Sequence, residues 1–369
     1  CHETDRTDPV VVGSAHAVAV VIGIIHPDLE GERDNSGQRH RTPPCATLSD
    51  GDNGAESDRN GCRRQSLRSC ADDPAVHAQP RSTRPEYRWP PDTVGPMSDE
   101  LWRKTARQLA EMIARGDVSS REVVDSHLTR IDAVNPRLNA IVHRLDEQAR
   151  IEADRADAAR RSGDSLAPLH GVPCTVKENI DLAGTPTTNA VPALAHAISS
   201  SDAPIVERIR RAGAIPIGRT NLPDMGLRIH TDSSLHGLTR NPWDHDRTAG
   251  GSSGGEAAAL ASGMSPIGLG NDIGGSLRNP AHCCGVASIK PTQGVVPWAT
   301  EIPPTALGLA SQLMLVDGVM ARRIDDVRVG FDAIRGAHSR DPYSVPADLV
   351  GAPSDRPWRI AVMTEVPGG

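Results

Sequence analysis

Aromatic side chains are scarce: the 369 residues hold five Trp, two Tyr and one Phe, so any core must be mainly aliphatic. A basic excess is also lacking. The 40 Lys+Arg stand against 47 Asp+Glu, a net charge of −7, whereas nucleic-acid binding calls for a basic footprint, so no nucleic-acid partner is expected. The one extended apolar run of the first 96 residues, Val10 to Ile25, is 16 residues long and is broken by Ser14 and His16. A spanning helix needs about 20. Glu3, Asp5 and Asp8 outweigh Arg6 ahead of that run, which excludes the basic flank of a signal peptide, and no membrane partner is expected. The seven cysteines contain no C-x-x-C pair and define neither a disulfide framework nor a zinc ribbon. Their usage suggests a reducing, cytoplasmic setting. His282-Cys283-Cys284 would alternate faces if it were a strand, so no metal is expected there. Lysine is the last scarcity. Lys104, Lys177 and Lys290 are the only three among the 40 basic residues, and each is worth examining singly.

Residues 1–96 contain no Met, Lys or Phe, and from His40 to Pro96 the text is Arg, Asp, Ser, Pro and Gly with little periodicity. That composition buries too little to fold, so 1–96 is expected to be a disordered or spurious upstream segment. Met97 opens a stretch with the signals of an α/β domain. Ser98 is placed to cap a helix carrying Leu101, Leu109, Met112 and Ile113 and stopped by Gly116. Ser119-Ser120-Arg121-Glu122 fits a capping box, with Asn135-Pro136 as the expected end of its helix. Leu138 to His143 reads as a strand and 145–161 as a charged helix. Further strands are expected at Val172–Val176, Ala214–Ile217, Ile267–Leu269, Val286–Ile289 and Arg359–Met363. Helices are expected after Asp202 as cap, over Ala257–Ala261 and over Arg323–Arg335. The chain stops just after a strand, an unexpected place for an α/β fold to be complete.

Three segments carry chemistry. Gly171-Val172-Pro173-Cys174-Thr175-Val176-Lys177-Glu178-Asn179 reads as a strand that delivers Lys177 at its end. Arginine keeps its proton in proteins, whereas a buried lysine can be driven neutral and act as a base; the alternative is a structural or surface ammonium. Gly250-Gly251-Ser252-Ser253-Gly254-Gly255-Glu256 is a glycine-rich loop opening onto an Ala-rich helix. It lacks the lysine of a phosphate-binding loop, and although it fits G-x-S-x-G about Ser253, no strand precedes it as a nucleophile elbow requires. Gly270-Asn271-Asp272-Ile273-Gly274-Gly275-Ser276-Leu277-Arg278 follows a strand, and its two glycines let successive N–H groups form an anion-holding nest.

Together these segments resemble the amidase signature family, from roughly Met97 to Gly369. The Ser-Ser-Gly-Gly loop and the G-G-S segment stand in order, with Ser252 and Ser276 24 positions apart. Gly218-Arg219-Thr220-Asn221-Leu222-Pro223, Thr239-Arg240-Asn241-Pro242-Trp243 and Cys284-Gly285-Val286 leading to Lys290-Pro291-Thr292 add to the likeness. The resemblance implies an α/β fold with a mixed β-sheet core surrounded by helices, truncated here at the C-terminal side, with 97–369 as an incomplete amidase domain. It implies Lys177 as base, Ser252 as bridging serine behind a cis Gly251–Ser252 bond, and Ser276 as nucleophile. The N–H groups of Ile273, Gly274, Gly275 and Ser276 would hold the oxyanion. The implied reaction is hydrolysis of a small-molecule carboxylic amide to acid and ammonia or amine through a seryl acyl-enzyme, with no cofactor and no metal; a homodimer is compatible with the family. Asp272 and Arg278 would buttress the loop, with a substrate carboxylate as the other partner for Arg278. Trp243 and Trp298 would line a pocket or fill core, and Cys174 would pack beside Lys177. The alternatives are an ammonia-releasing amidotransferase component that works within a larger complex, an α/β-hydrolase centred on Ser253, and an inactive fragment or mispredicted reading frame.

Overall fold

The structure is a computed structural model that describes residues 19–22, 97–305 and 308–347. Its elements in chain order are β1 (Ala19–Ile22), a 3-10 turn (Met97–Arg103), α1 (Ala106–Arg115), α2 (Ser120–Leu138), β2 (Ile141–Arg144), α3 (Asp146–Ser162), β3 (Pro173–Lys177), α4 (Pro204–Arg211), β4 (Ile215–Thr220) and the short pair β5 (Asp232–Ser233) and β6 (Gly237–Leu238). They continue with α5 (Gly254–Ala261), β7 (Ile267–Asp272), α6 (Arg278–Cys284), β8 (Ala287–Lys290), α7 (Leu309–Met314), β9 (Val316–Ala321) and α8 (Ile324–Ile334). The expected strand Arg359–Met363 lies outside the described residues, as does all of 1–96 except β1. The strand β1 falls in a segment expected to stay outside the fold.

A seven-stranded mixed sheet runs in the order β1-β8-β9-β7-β3-β4-β2, and β5 and β6 pair apart from it. At its centre β3 pairs in parallel with both β4 and β7. The remaining pairs, β7 with β9, β9 with β8, β8 with β1 and β4 with β2, are antiparallel. Alternation along the strands splits the core into two layers. Val319 and Ala321 of β9 join Cys174, Val176, Ile267 and Leu269 beneath α1, α4 and α8. Met320 points the other way, into the layer of α2, α3, α5 and α6 with Ile215, Ile217 and Leu128. The glycines that interrupt β7 have a steric reason. A Cβ on Gly268 would lie 1.8 Å from Glu256 Oε1, so only glycine lets α5 seat that carboxyl against the sheet.

Local signals decide the helix ends. Ser119 accepts from Glu122 N, and Glu122 reaches back to the Ser119 N–H at 2.8 Å, closing the expected capping box. Several boundaries differ from expectation. Ser98 lies in the 3-10 turn, and α1 is capped instead by Thr105, paired reciprocally with Gln108. Asn135-Pro136 does not end α2. The Asn135 side chain accepts from Ala140 N and Ile141 N and donates to Ile141 O, holding the last turn together until Asn139 closes it in the left-handed conformation. The stretch from Leu138 therefore becomes strand only at Ile141. Asp202 does not cap α4; its carboxylate accepts from Ala183 N and pairs with Arg210, while Pro204 starts the helix without needing a donor. His282-Cys283-Cys284 is the end of a helix rather than a strand, and β9 carries an unforeseen central position. Replacing Ser119 by Ala removes one side of the capping box and is expected to cost about 1 kcal/mol in a urea titration, with the slope unchanged.

Candidate active site

The parallel strands β3 and β7 end side by side, and their carboxyl ends form the crevice where open α/β sheets place ligands. Lys177 is the last residue of β3 and is fully buried. Its Nζ donates to Ser252 Oγ at 2.7 Å and to Asn271 Oδ1 at 2.6 Å. Burial brings the Lys177 ammonium down from its ordinary range to about 7, against the pull of the Asp272, Asp317 and Glu256 carboxyls. Arginine, the usual base of this chain, would keep its charge there.

Ser252 sits on the loop before α5, behind a cis Gly251–Ser252 peptide bond. Ser253 is buried, and its Oγ donates to Asn271 O at 3.3 Å rather than facing open space. No strand leads directly into it, so the G-x-S-x-G match does not make a nucleophile elbow. Inside α5, Glu256 is buried against Thr175 and Thr220, whose hydroxyls donate to its two oxygens, and burial raises its carboxyl to about 7.

The turn after β7 is organised by Asp272. Its carboxylate accepts from Gly275 N at 2.8 Å and from Leu277 N at 3.0 Å, and pairs with Arg278 at 2.9 Å. These donors hold the Asp272 carboxyl below its usual range despite its burial. Gly275 adopts φ +127°, a conformation open to glycine and strained for other residues. One expectation changes here. The Gly275 N–H is turned to Asp272, whereas those of Ile273, Gly274 and Ser276 have no acceptor among the described residues. Arg278 is tied to Asp272, the buttressing role expected of it.

Ser252, Ser276, Asn271 and Ile273 border one cavity of about 260 Å3, which Met225, Leu227, Trp298, Ile302 and Leu315 also line. A second cavity of about 250 Å3 shares Trp298, Thr300, Ser311 and Leu315 with the first. Trp298 thus lines the pocket, whereas the Trp243 indole donates to Cys284 O behind α6. Cys174 packs in the core on β3, and burial pushes its thiol well above the usual range.

Two residues of the site stand inside the motifs named above but take their roles only from the fold. Asn271 bridges Lys177 and Asn179, and the only signal for it is its place one residue before Asp272. Arg219 is fully buried and donates to the carbonyls of Glu178, Ile180 and Pro186, fixing the segment that leaves Lys177. Among the described residues no group of three or more His, Cys, Asp or Glu stands ready to hold a metal, and no helix is long and apolar enough to cross a membrane.

Residues 122–368 match the sequence model of the family described as Amidase. The chain is 48% identical over 262 residues to an indoleacetamide hydrolase of Bradyrhizobium diazoefficiens, covering 71% of this chain and 50% of that protein. It is 38% identical over 241 residues to an acylamidase of Rhodococcus erythropolis, covering 65% and 49%. A glutamyl-tRNA(Gln) amidotransferase component of Heliobacterium modesticaldum is 35% identical over 274 residues, covering 72% and 54%. Among solved structures, a bacterial aryl acylamidase of the amidase signature family superposes with a TM-score of 0.62 at 31% identity, covering 67% of this chain and 50% of that one. The chain spans about half the length of the relatives it matches.

Neutralising Asp272 tests the turn directly. Asp272→Asn is expected to cost on the order of 2 kcal/mol, because Arg278 loses its counter-charge and one of the two N–H groups meets an amide NH2 in place of its acceptor, and to speed hydrogen exchange across 273–277.

Proposed function

The chain belongs to the amidase signature family, and from that membership we propose that it hydrolyses a carboxylic amide to acid and ammonia through an acyl-enzyme on Ser276. The observation that carries the reading is the buried Lys177 Nζ held 2.7 Å from Ser252 Oγ, at the cavity that Ser276 also borders. With its ammonium brought down to about 7, Lys177 is largely neutral in the mildly alkaline range and able to take a proton. Ser252 passes that proton on from Ser276 as Ser276 Oγ bonds to the amide carbon. The N–H groups of Ile273, Gly274 and Ser276 receive the oxyanion, a role in which one donor is worth about 3 kcal/mol. The relay then returns the proton to the departing nitrogen, the C–N bond breaks, and water attacks the ester along the same path. This chemistry is assigned to 97–369, with no cofactor or metal step.

The apolar wall of Met225, Leu227, Trp298, Ile302 and Leu315 supports an aromatic or aliphatic acyl group. The likeness to an indoleacetamide hydrolase makes a primary arylacetamide our choice of substrate class. A cytoplasmic location and a homodimer complete the proposal, the former on the cysteine usage of the sequence. A second reading, the ammonia-releasing component of an amidotransferase, is favoured by the likeness to the glutamyl-tRNA(Gln) amidotransferase chain; it requires companion chains and glutamine as the amide. Hydrolysis of arylacetamides by the isolated chain, with glutamine ignored, separates the two.

Ser276→Ala is expected to lower arylacetamide turnover by roughly 10^4-fold or more. Lys177→Arg should be as severe at every pH, since arginine retains its proton. In the unaltered enzyme kcat/KM is expected to rise with pH through about 7, because the protonated Lys177 that dominates below that value cannot act as base. A flat profile between pH 5.5 and 8.5 would contradict the assignment.

A further inference from the structure

Three carboxyls stand around Lys177, and two have evident partners. Asp272 is committed to Arg278 and to two N–H groups of its turn, and Glu256 to the hydroxyls of Thr175 and Thr220. Asp317 differs. It lies on β9, 1% exposed, and its Oδ1 has no hydrogen-bond partner among the described residues. An unpaired buried carboxyl oxygen is destabilising, so packing alone gives no reason for an acid at this position. In the β7–β9 ladder Asp317 is directly opposite Asn271, and side chains so paired leave the sheet on the same face. The same Asn271 accepts from Lys177 Nζ at 2.6 Å and donates to Asn179 Oδ1 at 3.0 Å. Asn271 therefore stands between Asp317, its neighbour across the ladder, and Lys177, which in turn meets Ser252.

We propose that Asp317 is a positioning residue: through Asn271 it aims Lys177 at Ser252, and it supplies the buried negative charge that compensates the ammonium formed when Lys177 receives the relay's proton. This rests on the reading of Lys177, Ser252 and Ser276 as the catalytic relay. In acylation one proton leaves Ser276 Oγ as that oxygen bonds to the carbonyl carbon, and it reaches Lys177 by way of Ser252. With Asp317 ionised, the Asp317 and Lys177 pair passes from one net negative charge to none. The proton returns to the leaving nitrogen as the C–N bond breaks, and the pair regains its starting charge.

The groups that face this pair come from every side. Lys177 is met by Asp317 from β9, Asp272 from β7 and Glu256 from α5. Asp317 is met by Lys177, by Asp181 from the segment after β3 and by Asp341 from the segment after α8. Asp272 is offset by Arg278, Asp181 accepts from Glu301 N at 2.6 Å, and Asp341 accepts from Trp298 N at 2.9 Å. Burial raises the Asp317 carboxyl above its ordinary range and Lys177 pulls against that rise, so each group favours charge on the other.

The test uses the full chain carrying lysine labelled with carbon-13 at Cε, where three lysines give three resonances and Lys177→Arg assigns the one of interest. Asp317→Asn is expected to lower the Lys177 midpoint by about one pH unit or more, the usual effect of losing a nearby opposite charge. The acid limb of kcat/KM for indole-3-acetamide should move down with it, and the plateau should fall roughly tenfold, since a weaker base remains. A lower melting temperature with an unshifted midpoint and limb would overturn the proposal, because a merely structural role moves only the first. The unaltered chain supplies a measurement that does not depend on the variant folding: its Lys177 curve should depart from a one-proton titration as Asp317 ionises beside it, and a clean one-proton curve would also overturn the proposal. Ser276→Ala separates the two levels of failure. Retained turnover there sinks the catalytic reading, whereas an inactive Ser276→Ala beside an unshifted Lys177 midpoint sinks the role of Asp317 alone.

Discussion

Removing an ammonium from water costs several kcal/mol unless a compensating charge accompanies it, and β3 carries Lys177 into full burial at its final residue. The rest of the site follows from that constraint. Desolvation favours the neutral amine, the form able to accept a proton, and the nearby carboxyls keep the group from becoming too weak a base. The sheet order makes the burial possible. With β4 and β7 on either side in parallel and α5 across one face, the carboxyl end of β3 is enclosed by backbone whose polar groups are already paired.

Around that amine, backbone geometry and charge are divided between two glycine-rich turns. The loop before α5 brings Ser252 to Lys177, while the turn after β7 spends its aspartate on its own architecture. Asp272 anchors Gly275 and Leu277, and so leaves the N–H groups of Ile273, Gly274 and Ser276 for an incoming anion. Arg219 acts similarly on the segment after β3, replacing water at three carbonyls that burial would otherwise leave bare.

Much of this was legible in the sequence because the signals are local. A lone lysine ending an apolar strand, a Ser-Ser-Gly-Gly loop before an Ala-rich run, and a G-G-S turn after a strand each declare their backbone. Ser119 with Glu122 and Gly116 likewise declared two helix ends. Long-range pairing stayed hidden. β9 contains Asp317 and Gly318, which break the apolar alternation that marks a strand, and it is held by hydrogen bonds to β7 and β8 rather than by propensity. Asn271 reads as one more polar residue until the fold places Lys177 and Asn179 against it. Asp202 and Pro136 show the converse, strong local signals overridden when a side chain finds a better partner at a distance or within the last turn.

The measurement that bears most directly on the central claim is the pH dependence of covalent capture. A fluorophosphonate probe offered to the full chain, with the labelled peptide mapped and the rate followed from pH 5.5 to 8.5, reports both the nucleophile and the base that activates it. The label should fall on Ser276, at a rate that climbs with a midpoint at about 7, where burial holds Lys177. A label on Ser253, or capture of Ser276 at a rate indifferent to pH, would contradict the account.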